Sequence, residues 1–63
     1  MKFNLFEKVK TLVKKNDIEA GAVGLIIDVL NDPREGYIVE FCNDDDYSPW
    51  ATETYYPNEL DKI

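Results

Sequence analysis

The stretch Ala22-Val23-Gly24-Leu25-Ile26-Ile27-Asp28-Val29-Leu30, the turn Asn31-Asp32-Pro33-Arg34-Glu35-Gly36 and the run Tyr37-Ile38-Val39-Glu40-Phe41-Cys42 together decide the fold. The first run is β-branched and apolar enough for a central strand. In the turn, Pro33 sets its own φ and Gly36 can take a positive one. The last run alternates with a period of two and should return antiparallel to the first as a hairpin. Gly24 interrupts the apolar pattern, which predicts a bulge or sharp bend there.

Outward from this hairpin, alternation continues. In Glu7 to Val13, Val9, Thr11 and Val13 face one way and Lys8 and Lys10 the other, as in a half-buried strand. Asn16 to Gly21 reads as a loop, and Asn43 to Asp46 with Ser48-Pro49 as a second. Trp50 to Tyr56 is a fourth strand, Pro57 to Leu60 one helical turn, and Leu60 to Ile63 a short fifth strand. Trp50, Thr52, Thr54 and Tyr56 share one face of strand four, while Ala51, Glu53 and Tyr55 share the other. Either face could be the buried one. Short strands at this spacing predict an all-β chain, a small five-stranded SH3-like barrel forming a single domain over residues 1–63.

These elements resemble those of a family of small bacterial SH3-like proteins defined only as a domain of unknown function. The resemblance rests on Leu5-Phe6-Glu7-Lys8-Val9, Gly21 to Val29, Tyr37-Ile38-Val39-Glu40-Phe41 and Pro57-Asn58-Glu59-Leu60. It implies the SH3-like barrel. Because such families often sit in toxin–immunity neighbourhoods, it also implies an inhibitory partner role. It transfers no binding or catalytic residue.

The 63 residues hold one modest core, and the 44% hydrophobic content is too rich for a disordered chain. No apolar run approaches the ~20 residues of a membrane span, and the amino-terminal residues lack the pattern of a secretory leader. Cys42 is the only cysteine, so neither an internal disulfide nor a cysteine zinc site is expected, and a cytoplasmic location follows. No histidine is present to serve as general base or metal ligand, and Glu40 beside Cys42 would raise its pKa. The expectation is a protein without catalysis, cofactor or metal.

Charge is divided along the chain. Lys2, Lys8, Lys10, Lys14 and Lys15 crowd the first fifteen residues, whereas Glu40, Asp44, Asp45, Asp46, Glu53, Glu59 and Asp61 dominate residues 40–62. The net charge of −6 disfavours phosphate backbones and favours a basic partner, so no nucleic acid is expected despite the lysines. Asn43-Asp44-Asp45-Asp46 lacks the alternate ligands, central glycine and closing glutamate of an EF-hand loop. It is a solvated loop or a contact surface for a basic protein. The candidate partner-binding residues are Asp44, Asp45, Asp46, Glu53 and Glu59, which supply the field, and Tyr47, Trp50 and Tyr55, which supply anchors. The expected function is an immunity or antitoxin-like inhibitor of a basic toxin, such as a nuclease. The alternative is an SH3-like adaptor or accessory subunit that binds a proline-rich peptide or a larger enzyme.

Overall fold

The structure, a computed structural model, describes residues 2–63. Five antiparallel strands form one sheet: β1 (Lys8–Thr11), β2 (Val23–Leu30), β3 (Gly36–Cys42), β4 (Pro49–Tyr55) and β5 (Leu60–Lys62). A 3-10 turn, Pro57–Glu59, connects the last two strands. The order across the sheet is β4-β3-β2-β1-β5. All-β architecture and the central β2–β3 hairpin are therefore as the alternation predicts. The expected closure into a barrel is not made by backbone pairing, because no ladder joins β4 to β5.

Loop 12–22 bridges that gap instead, with one backbone hydrogen bond and several side chains. Leu12 N–H donates to the Glu59 carbonyl, and the Lys15 ammonium donates to the Thr54 carbonyl at 2.8 Å. Asn16, at φ 53°, donates from its side-chain amide to Glu53. Ile18 from the same loop is buried in the core. The edge of β4 is thus partly capped, which blunts an otherwise open row of backbone groups.

Each strand contributes to one cluster: Phe3, Val9, Ile18, Ile26, Tyr37, Val39, Phe41, Tyr55 and Leu60. Val9 and Thr11 point inward and Lys8 and Lys10 outward, as the period of two requires. β1 ends at Thr11 rather than running on to Val13. There the Thr11 hydroxyl donates to the Val13 carbonyl and turns the chain.

Two glycine expectations are corrected. The register shift in β2 falls between Ile26 and Asp28, not at Gly24. Gly24 pairs regularly with Val9 and is glycine because β3 lies almost against it. Gly36 begins β3, and the positive φ belongs to Gly21, at 93°, where loop 12–22 returns to β2.

Candidate functional site

Strand four carries aromatics on both faces, and its pairing with β3 decides which face goes in. Tyr55 pairs with Tyr37 and Ala51 with Phe41, so all four share the inward face. Tyr55 is 0% exposed, with its ring 6.2 Å from that of Phe41 in an edge-on arrangement. It is a core residue, not the exposed anchor expected from the sequence. Trp50 is 50% exposed, rests against Phe41 at 5.8 Å between ring centroids, and presents its other side to solvent. Tyr47 is 79% exposed.

The acids divide in the same way. Glu59 forms an ion pair with Lys15 at 2.9 Å and accepts the Tyr56 backbone N–H at 2.8 Å. Burial by itself would raise its carboxyl. The Tyr56 N–H, Lys15 and Arg34 outweigh that and hold it below the usual carboxylate range. Glu53 is half-buried and bonded to Asn16. Both glutamates are engaged inside the fold, and the structure does not bring them into one surface with the acidic loop.

Asp44, Asp45 and Asp46 remain exposed on the β3–β4 loop, and none joins an ion pair among the described residues. The loop is nevertheless well defined. Asn43 N–H donates to the Ser48 carbonyl, Tyr47 N–H to the Asn43 carbonyl, and Ser48 N–H to the Asp46 carboxylate. These hydrogen bonds from Ser48 lower the Asp46 pKa. Tyr47 closes the turn at φ 57°, a left-handed conformation that is uncommon for a bulky residue. Cys42 sits at the start of this loop, its thiol donating to Glu40 at 3.7 Å. Burial, then Glu40 and Asp46, push that thiol's pKa up, which keeps it in the unreactive neutral form.

A cation cage forms at the other end of β4, around Tyr55 and Tyr56. The Lys15 ammonium lies 4.9 Å from the centre of the Tyr55 ring and 5.5 Å from that of Tyr56, while the Arg34 guanidinium covers Tyr56 at 4.1 Å. Aromatic faces flanked by acids are the chemistry of a site for a cation or a proline-rich peptide. Here the chain's own Lys15 and Arg34 occupy those faces. In the sequence these aromatics stand close to Glu53 and Glu59, but the Lys15 that fills the cage is forty residues from Tyr55.

Lys15→Met, which keeps the stem and removes the ammonium, should cost ~1–2 kcal/mol of stability. It should also change the acid limb. The lowered Glu59 pKa adds stability that is present above about 4.5 and lost as the pH falls through the folded-state value. Thermal melts between pH ~2 and ~6 should therefore show a shallower acid dependence in the variant than in wild type. Parallel curves would mean that the pair contributes nothing.

Among the described residues no group of three or more metal-ligating side chains comes together, and no helix is long and apolar enough to cross a membrane. Compared with known proteins, the chain matches no family model, and no curated protein or solved structure gives a significant match.

Proposed function

We propose that this chain is a non-catalytic binding domain that recognises a basic protein through its β3–β4 loop. The observation that carries the reading is the division among its acids: Glu53 and Glu59 are engaged internally, whereas Asp44, Asp45 and Asp46 are exposed and join no ion pair among the described residues. Tyr47 and Trp50 flank those aspartates and offer large, amphipathic contact area. The net charge of −6 adds long-range attraction for a basic partner.

In its specific form the proposal is an immunity or antitoxin-like inhibitor. A toxin that acts on a polyanion, such as a nuclease, carries a basic substrate surface. Three consecutive exposed carboxylates on a defined loop present the concentrated negative charge that such a surface attracts. The strand order, with a 3-10 turn before the last strand, supports an SH3-like barrel whose seam between β4 and β5 is filled by loop 12–22. The adaptor alternative loses support at the Tyr55-Tyr56 end of β4, because those two aromatic faces are covered by Lys15 and Arg34.

Replacing Asp44, Asp45 and Asp46 together with asparagine should slow association with the basic partner ~10-fold or more at low salt and flatten its salt dependence. The partner is obtained by capture on the immobilised protein with washes of rising ionic strength. The measurement is the association rate of wild type and the triple variant. Equal rates, or capture only of proteins that resist salt elution, would remove the acidic loop from the interface.

A further inference from the structure

The outward face of the sheet has a surface of its own beside the acidic loop. Lys8 pairs with Leu25 across β1–β2, and Leu25 with Glu40 across β2–β3, so the three stand in one row on one face. The core residues Val9, Ile26, Val39 and Phe41 belong to the opposite face. Val23, two positions along β2 from Leu25, is 53% exposed on this outer side. At one end the β3–β4 loop supplies Asn43, Asp44 and Tyr47, and together these residues line a groove of about 330 Å³.

That volume lies at the small end of ligand sites and suits one or two side chains better than a cofactor. Its chemistry is uneven. The floor, Val23 and Leu25, is apolar, and Tyr47 forms an aromatic wall. One bank carries Lys8, while the other carries Glu40 and Asp44, with Asp45 and Asp46 just beyond. An occupant that satisfies all of this needs an aliphatic group on the floor and a cation on the β3 side. A planar guanidinium suits the second place best, because it pairs with carboxylates and stacks on an aromatic face.

We infer that the groove seats an extended segment of the basic partner in which an arginine adjoins a leucine-sized residue. The aliphatic side chain covers Val23 and Leu25, and the guanidinium lies between Glu40, Asp44 and the Tyr47 ring. The inference rests on the proposed basic-protein partner and narrows it to a peptide chemistry. The loop supplies attraction at a distance, and the groove supplies burial at contact.

The test is a titration of the isotopically labelled chain with acetyl-Gly-Arg-Leu-Gly-amide, followed by amide chemical shifts. Two control peptides replace Arg with Glu, or Leu with Ser. Saturable shifts at Val23, Leu25, Glu40 and the 43–47 loop are expected at millimolar peptide, with either control binding about fivefold or more weakly. Val23→Ser and Tyr47→Gly should each weaken the Arg-Leu peptide to a similar degree. Both sites are largely exposed, and glycine suits the φ of 57° at position 47, so spectra elsewhere should stay unchanged.

Shifts confined to residues 44–46, equal for the Arg-Leu and Arg-Ser peptides, would overturn the groove while leaving the basic-partner reading in place. Groove shifts that are equal for the Arg-Leu and Glu-Leu peptides would overturn the proposed recognition and that reading together. An unperturbed spectrum at millimolar peptide would overturn the inference outright.

Discussion

Gly24→Val is expected to lower the melting temperature by ~10 °C or more. A Cβ at position 24 would sit 2.5 Å from Val39 Cγ1, 2.8 Å from the Glu40 carbonyl oxygen and 3.0 Å from Phe41 Cδ1. One of these atoms is backbone, and the other two belong to fully buried side chains of β3. Nothing there can yield without moving β2 away from β3, the pair that forms the centre of the sheet. Overpacking a core of this kind costs ~1–3 kcal/mol or more, and a domain this small shifts by ~4–8 °C for each kcal/mol.

The other glycines separate the causes. Gly36→Ala should be nearly neutral, because its nearest new contact is the Tyr55 carbonyl oxygen at an ordinary 3.7 Å. Gly21→Ala meets nothing within 4 Å but must hold a φ of 93°, and should cost ~1–2 kcal/mol through backbone strain. Thermal melts of Gly24→Ala and Gly36→Ala decide the matter. If the two lose stability equally, close approach by β3 is not what excludes a side chain at position 24.

Tyr37→Phe should be the second large loss, ~2–3 kcal/mol, although it removes a single oxygen. The Tyr37 hydroxyl accepts the Phe3 N–H at 3.1 Å and the Lys2 N–H at 3.0 Å and donates to Glu35. It therefore ties the amino-terminal segment to β3, and it positions Phe3, whose ring meets that of Tyr37 edge-on at 5.3 Å. Without it the buried Phe3 N–H has no acceptor, which is costlier than the loss of an average hydrogen bond. Tyr55→Phe is the natural control. That ring is as deeply buried, but its hydroxyl has no hydrogen-bond partner among the described residues, so its removal should be neutral or slightly stabilising. Denaturant melts of the two variants should differ by at least ~2 kcal/mol, and equal losses would mean that the Tyr37 network is not structural.

The same hydroxyls set an alkaline limit. Burial first, and then Glu35, raise the Tyr37 pKa, and burial raises that of Tyr55. A raised acid favours its neutral form in the folded state. The associated stability is intact below about 10 and is lost as the pH rises toward the folded-state value.

How far the sequence reached differs from element to element. The β2–β3 hairpin was legible because its apolar runs and Pro33-containing turn are local signals that agree with one another. The place of the bulge was not. Gly24 suggested a distortion, but what it answers to is the approach of Val39 and Phe41, fifteen and seventeen residues further on. The acidic run could be read as exposed from composition alone. The withdrawal of Glu53 and Glu59 from that surface could not, since it depends on Asn16 and Lys15 in a loop that crosses the sheet.

By itself the sequence determined the all-β class, the approximate strands, the absence of histidine chemistry and the negative field, because each depends on residue type or on a period of two within a few neighbours. Tertiary structure alone decided which side of β4 faces the core. Both sides carry aromatics, so local hydrophobicity is balanced. The choice falls to Tyr37 and Phe41 on β3, whose cross-strand register draws Tyr55 inward and leaves Trp50 half in water. It also decided that Lys15, rather than a ligand, fills the aromatic cage, because only folding brings loop 12–22 across the β4–β5 gap.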